Sequence, residues 1–174
     1  MRRTARRAPF PAHLRKGPFQ PMRIALFEPD IPQNTGNILR LGACLNVPVD
    51  IIEPCGFPLS DRSLKRAGMD YLSIAAMTRF DSWKAYCESL SSSARLVLMT
   101  TASASPYVNF AFTRNDILLM GRESAGVPEA VHERADARLT IPMAAGARSL
   151  NVSSACAMVV GEALRQLDGF PNPA

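Results

Sequence analysis

Metal-ligating motifs are scarce in this sequence of 174 residues. It contains two histidines and four cysteines, and the cysteines lie far apart without a CxxC pair. No metal-ligand spacing is present, so no metal is expected, and isolated cysteines are typical of the reduced thiols of cytoplasmic proteins. No apolar run reaches the about 18 residues that a membrane-spanning helix needs. A cytoplasmic protein without a membrane span is therefore expected.

Several catalytic signatures are also missing. The sequence has no GxSxG, and neither histidine lies in a motif, which disfavours a Ser-His-Asp hydrolase. A P-loop and the glycine fingerprint of dinucleotide-dependent oxidoreductases are likewise absent. The remaining inventory of Asn, Ser, Glu, Arg and backbone groups supplies little covalent chemistry itself. It suits group transfer from an activated donor, because the donor carries the driving force.

Negative charge is absent from the first 21 residues, which carry six basic side chains and no acid. The remaining 14 basic and 15 acidic residues nearly balance, so the net charge of +5 belongs to this tail. A basic tail can bind nucleic acid through phosphate contacts. It also resembles an Arg-rich targeting peptide, although its four prolines argue against a presequence helix. The third alternative is that translation starts at Met22.

From residue 22 to about residue 169, the pattern predicts a single α/β domain in which strands and helices alternate, followed by a short tail at 170–174. The predicted strands are 23–28, 49–52, 72–76, 95–100, 116–120 and 138–141. The predicted helices are one opening at Asn34, then 61–68, 82–90, 128–134 and 150–167. This order predicts a parallel sheet with helices on both faces.

Polar or glycine-containing segments follow four of these strands, at 34–40, 100–105, 121–126 and 148–151. In a parallel sheet such loops share one rim, where ligands bind. The segment 148–154 contains an Arg, an Asn and three Ser at the start of the last helix. Short polar side chains there either cap the helix or contact a ligand, and both interpretations stay open.

The three motifs at 34–40, 121–126 and 148–153, with the opening ALFEPDIPQNTGNILR and the segment IIEPCGF, resemble the SPOUT superfamily of RNA methyltransferases. Within it, the chain is similar to small enzymes that methylate the wobble ribose, C34 or U34, of leucine tRNAs. The resemblance implies a C-terminal trefoil knot and S-adenosyl-L-methionine (AdoMet) as cofactor, with S-adenosyl-L-homocysteine as product. It also implies binding of the tRNA anticodon stem-loop by a homodimer whose subunits together complete the RNA site.

The resemblance also assigns roles to individual residues. Arg40 and Asn34 match catalytic positions that act on the ribose hydroxyl, and Glu123 is expected to orient one of them by hydrogen bonding. Because a guanidinium is almost never deprotonated, a clamp on an RNA phosphate is easier to defend for Arg40 than a general base. The expected cofactor-binding residues are Met99, Gly121, Ile141, Ser149, Leu150 and Asn151. The expected RNA-binding residues are Arg40, Arg148 and Ser153.

Simpler interpretations stand beside these roles: Arg40 as a solvated helix charge, Glu123 as a favourable charge at a helix N-terminus, and Asn151 as a cap. Gly161 departs from the family pattern, in which an aromatic residue before Glu162 assists tRNA binding. The apolar stretch 155–160 indicates a second buried face on the last helix, against either a partner subunit or the sheet. Rival functions are ribose methylation elsewhere in tRNA or rRNA, and non-catalytic RNA binding. The lack of an added RNA-binding domain favours the minimal tRNA enzyme.

Overall fold

A computed structural model describes residues 22–59, 77–103 and 105–171. Its six strands are β1 Arg23–Phe27, β2 Val49–Ile52, β3 Met77–Phe80, β4 Arg95–Met99, β5 Asp116–Met120 and β6 Ala137–Leu139. The helices are α1 Pro32–Leu45, α2 Trp83–Ser89, α3 Glu129–Arg134 and α4 Val152–Leu167, and a 3₁₀ turn spans Tyr107–Asn109. The predicted helix 61–68 and strand 72–76 lie outside the described residues.

The strands form one sheet in the order β3-β2-β1-β5-β4-β6, and every neighbouring pair is parallel. The prediction of a parallel α/β sheet is therefore confirmed. Strand β1 pairs with β2 on one side and β5 on the other: the chain runs from β1 through β2 to β3 at one edge, and then crosses to β4, β5 and β6 on the other side of β1. Such a switch point opens a crevice beyond the carboxyl ends of the strands.

Helices cover both faces of the sheet. Each strand contributes to a core on either face, because its successive side chains point to opposite faces. Ile24 and Leu26 of β1 belong to a core with buried residues of α1 and α4. The intervening Ala25 and Phe27 belong to a second core with residues of α2 and α3. The continuous apolar runs seen in the sequence are thus those of strands buried on both sides.

Several predicted boundaries were wrong by one or two residues. α1 begins at Pro32, two residues before Asn34, because proline suits the first helical turn, where its missing N–H costs nothing. α4 begins at Val152 rather than residue 150, since Asn151 is its cap. β6 ends at Leu139 rather than residue 141. β3 at Met77–Phe80 was not among the predicted strands.

Two arginine–aspartate pairs lie at the amino ends of the strands, opposite the crevice. Arg23 of β1 donates through Nε to Asp50 Oδ2 at 2.8 Å, and the Tyr86 hydroxyl reaches the same oxygen at 3.3 Å. Arg95 of β4 donates to both oxygens of Asp116, at 2.7 and 2.8 Å. Both aspartates are buried but hydrogen-bonded, so they belong to the scaffold. Among the described residues, no helix is long and apolar enough to cross a membrane.

Candidate active site

A cavity of about 400 Å³ lies at the carboxyl ends of the strands, where α1 and α4 begin. All six predicted cofactor residues line it, and so do Asn34 and Glu123. The cavity therefore unites the loops after β1, β4, β5 and β6. Beyond these eight, the further lining residues are Ile31, Thr100, Thr101, Met120, Arg122, Gly126, Val127, Thr140, Met143, Val152 and Ala155.

The walls of this cavity are mainly apolar. Methionine, isoleucine, valine and leucine side chains dominate the lining, while hydroxyl and amide groups are fewer. Its volume falls within the roughly 300–1,000 Å³ of small-molecule sites, and such a lining suits an aromatic ring with a polar appendage. Within the described ranges, no group of three or more His, Cys, Asp or Glu side chains is placed to hold a metal ion.

The turn from Gly121 to Gly126 depends on both of its glycines. A Cβ on Gly121 would lie 2.9 Å from the carbonyl carbon of Gly126, and Gly126 adopts a φ of +67°. The backbone of Arg122 exchanges two hydrogen bonds with Gly126, at 3.0 and 2.8 Å. Glycine is thus needed here for the turn to close on itself.

A relay of three side chains joins the three motifs. Asn151 Nδ2 donates to Asn34 Oδ1 at 2.9 Å, and Asn34 Nδ2 donates to Glu123 Oε1 at 3.0 Å. The hydrogen bond that Glu123 accepts from Asn34, one of the two partners expected for it, is therefore present. Since a carboxylate only accepts, Glu123 fixes the orientation of both amides. The relay links α1, the turn after β5 and α4.

Asn151 also caps α4. Its Oδ1 accepts from the backbone N–H groups of Ser153 at 2.9 Å and Ser154 at 3.4 Å, and from the Ser153 hydroxyl at 2.6 Å. The capping interpretation of this segment is thus confirmed, and another atom of the same side chain bonds to Asn34 in the cavity wall. Ser153, expected to contact RNA, is tied to the cap and does not line the cavity.

Burial raises the pKa of Glu123, and the neighbouring Asp30 raises it further. The hydrogen-bonded Glu123 side chain, the Ser124 hydroxyl and the backbone amides of the turn lower the pKa of Asp30 to about 2. Next to Glu123, Arg122 pairs with Glu28 at 3.0 Å. Glu28 itself directly follows β1 and has a φ of 43°. Acidic groups thus surround the relay.

Two predicted RNA-binding residues lie outside the cavity lining. Arg40 is exposed in the second half of α1, on a different face of the helix from Asn34. Arg148 is exposed in the loop before α4. Because both side chains are exposed, they are accessible to a large ligand.

Comparison with known proteins identifies this combination of sheet and cavity as that of a methyltransferase. The model of the SpoU rRNA Methylase family matches residues 21–161, and the chain belongs to this family. A tRNA (cytidine(34)-2′-O)-methyltransferase of Ancylobacter novellus is 56% identical over 150 residues, which cover 86% of this chain and 95% of that protein.

Solved structures agree with this assignment. One from a study of 2-OH methylation of C/U34 on tRNA is 39% identical with a TM-score of 0.81, covering 86% of this chain and 98% of that one. An AdoMet-bound rRNA methyltransferase of Sinorhizobium meliloti is 25% identical with a TM-score of 0.75, covering 84% and 57%. The predicted fold class, the knotted α/β fold of SPOUT methyltransferases, is therefore confirmed.

Proposed function

We propose that this protein is an AdoMet-dependent tRNA methyltransferase that modifies the ribose 2′-hydroxyl of nucleotide 34, a cytidine or uridine, in the cytoplasm. The name of the relative at 56% identity supports the position, and its nearly full-length match supports the same minimal domain. The leucine isoacceptors are the proposed substrates, bound through the anticodon stem-loop. The observation that carries the proposal is the convergence of all six expected cofactor residues on one cavity.

The cavity fits AdoMet by the chemistry of its lining. Apolar side chains such as Met99, Ile141 and Leu150 would hold the adenine ring, and backbone groups of Gly121 and Ser149 would supply its hydrogen bonds. When bound, AdoMet supplies its sulfonium methyl group, which passes to the ribose O2′ as the hydroxyl proton leaves and S-adenosyl-L-homocysteine remains. Neither binding of the cofactor nor transfer of its methyl group requires a metal.

The relay would then position the reacting groups. Glu123 holds Asn34 at the cavity wall, and Asn151 holds it from the other side. We assign Arg40 to the RNA, where its fork of donors would clamp a phosphate and orient the hydroxyl. Arg148 would add a second phosphate contact from the loop before α4. Ser153 would act through the cap of Asn151.

A homodimer would explain how Arg40 reaches the reacting hydroxyl. It lies six residues beyond Asn34, which is about 9 Å along the helix axis and on another face. Meanwhile α4 carries an exposed small and apolar stripe formed by Ser154, Ala157 and Met158, with Gly161 one turn on. Covering that stripe with a second copy would supply the second buried face expected from the sequence, and would bring Arg40 of one subunit toward the cavity of the other.

Mixing two inactive variants tests this arrangement. In a heterodimer of Arg40→Ala and Asn151→Ala chains, a site shared between subunits retains one intact cavity facing one intact Arg40. Activity should then return to about one quarter of wild type in a random mixture. Sites confined to single chains would give no recovery. The control is each variant mixed with itself.

The function itself is tested by mass spectrometry of tRNA from a strain lacking the gene, with and without the gene restored. Ribose methylation at nucleotide 34 should be lost and regained, and an Arg40→Ala gene should fail to restore it while AdoMet binding measured by calorimetry stays within a few-fold. Loss of methylation at another position of tRNA or in rRNA would favour the rival substrates. Unchanged methylation everywhere would favour non-catalytic RNA binding.

A further inference from the structure

Asp30 lies between β1 and α1, outside every motif to which a role has been assigned. Its backbone N–H donates to Glu123 Oε2 at 3.1 Å, and its own Oδ1 accepts from the backbone N–H of Glu123 at 3.2 Å. These two hydrogen bonds are reciprocal. They join residues 93 positions apart in the chain and hold the turn after β5 against the start of α1.

The carboxylate of Asp30 also fixes the following residue of the turn. Its Oδ2 accepts from the backbone N–H of Ser124 at 3.3 Å and from the Ser124 hydroxyl. Asp30 therefore accepts three hydrogen bonds from a turn that contributes Glu123 to the relay. Charge-assisted hydrogen bonds of this kind are stronger than neutral ones.

The chain makes room for Asp30 by means of Gly56. A Cβ on Gly56 would lie 2.7 Å from the Cβ of Asp30 and 2.9 Å from its Cα. The Gly56 N–H in turn donates to the Pro29 carbonyl at 2.9 Å. Gly56 belongs to the IIEPCGF segment, and this contact gives that glycine a structural reason.

Through these contacts each oxygen of Glu123 has its own donor. Oε2 accepts from the Asp30 backbone and Oε1 accepts from the Asn34 amide. Asp30 is the charged side chain that the structure places against Glu123, while the adjacent Arg122 is paired with Glu28. The raised pKa of Glu123 and the lowered pKa of Asp30 agree with a pair in which Glu123 takes up the proton first as pH falls.

We propose that Asp30 is a positioning residue of the methyltransferase site, which clamps the turn 122–126 and thereby aims the Glu123 carboxylate at Asn34. This inference rests on the proposed function for its kinetic consequence only. A displaced Glu123 would leave the Asn34 amide free to rotate, and misplacement of about 1 Å near reacting groups costs up to roughly 100-fold in rate.

The test compares Asp30→Ala with Asp30→Asn, and uses Asp81→Ala, an exposed aspartate before α2, as the matched control. Asparagine keeps an oxygen that accepts from the turn, so Asp30→Asn should restore most of the kcat that Asp30→Ala loses. Removal of the like charge should also lower the pKa of Glu123, so the acid limb of the kcat profile of Asp30→Asn should move to lower pH. A purely structural role would not move that limb.

A second readout does not depend on tRNA. The Asn34 side-chain amide, followed by NMR in the protein bound to S-adenosyl-L-homocysteine, should shift and exchange faster in Asp30→Ala and stay unchanged in Asp81→Ala. An unchanged Asn34 signal, or an acid limb that stays in place in Asp30→Asn, would overturn the inference. If the wild-type protein does not methylate tRNA but the Asn34 signal still shifts in Asp30→Ala, the proposed function is overturned. The positioning role of Asp30 then stands.

Discussion

Asn151 caps α4 through its Oδ1 and donates to Asn34 through its Nδ2, and substitutions can separate these two roles. Replacement by alanine removes both the cap of α4 and the bridge to Asn34. Replacement by serine keeps an oxygen that can cap but is too short to reach Asn34. The difference in unfolding free energy between the two variants therefore measures the contribution of the cap. The stability that the serine variant still loses measures the contribution of the bridge to Asn34.

The magnitudes follow from the contacts. Loss of an N-cap costs about 1 kcal/mol of unfolding free energy. Asn34 is 6% exposed, so leaving its Oδ1 without a donor adds about 1–3 kcal/mol. Asn151→Ala should thus lose about 2–4 kcal/mol, and Asn151→Ser about 1 kcal/mol less. Urea unfolding followed by circular dichroism at one fixed protein concentration measures both.

The bridge also predicts a change in cofactor binding. Because Asn34 and Asn151 both line the cavity, Asn151→Ser should weaken the binding of S-adenosyl-L-homocysteine in calorimetry even where the helix stays capped. A double-mutant cycle with Asn34→Ala should give a coupling energy of about 0.5–3 kcal/mol. A coupling near zero, with wild-type affinity in the serine variant, would refute the relay and leave Asn151 as a cap alone.

Three further predictions follow from local packing. Gly121→Ala should lose about 1–3 kcal/mol of unfolding free energy and weaken cofactor binding, because its Cβ would press on the Gly126 backbone; chemical unfolding and calorimetry measure these effects. In the monomer, Gly161→Ala should raise the unfolding free energy by about 0.5–1 kcal/mol, since nothing in the same chain lies within 4 Å of the added Cβ; equal or lower stability at a protein concentration where the chain is monomeric would contradict this. An alkylating reagent at pH 8 should label the exposed Cys44 and spare Cys156, whose pKa complete burial raises to about 12; mass spectrometry of labelled peptides checks this.

The sequence predicted strands most directly where all or nearly all residues of the strand are buried. β1 and β5 are buried on both faces of the sheet, so each appears in the sequence as a nearly continuous apolar run that predicts a strand. β3 is an edge strand with Thr78 and Arg79 exposed, and no apolar pattern marks it. The sequence analysis accordingly predicted no strand at these residues. Strand detection failed at this edge of the sheet, although β6 at the other edge was predicted to within two residues.

Within the site, motifs predicted which residues meet but not how. All six residues expected to bind the cofactor line one cavity, since loops at the carboxyl ends of parallel strands converge. The sequence could not decide whether Asn151 caps a helix or faces a ligand, because one amide carries both an acceptor and a donor. Asp30 was missed altogether. A lone aspartate between a strand and a helix is typical of any turn, and only the folded chain places it against Glu123.

The distances along the chain between the relay residues have a consequence for biosynthesis. Asn34 and Asn151 are 117 residues apart, and β1 must wait for β5 to cover its second edge. At about 5–20 residues per second, a ribosome needs roughly 6–23 seconds to synthesise the chain from Asn34 to Asn151. During this interval the nascent chain exposes an unpaired strand edge and the apolar side of α1, both of which favour aggregation. Substitutions that weaken the docking of α4 are therefore expected to reduce the yield of folded protein in the cell as well as its activity.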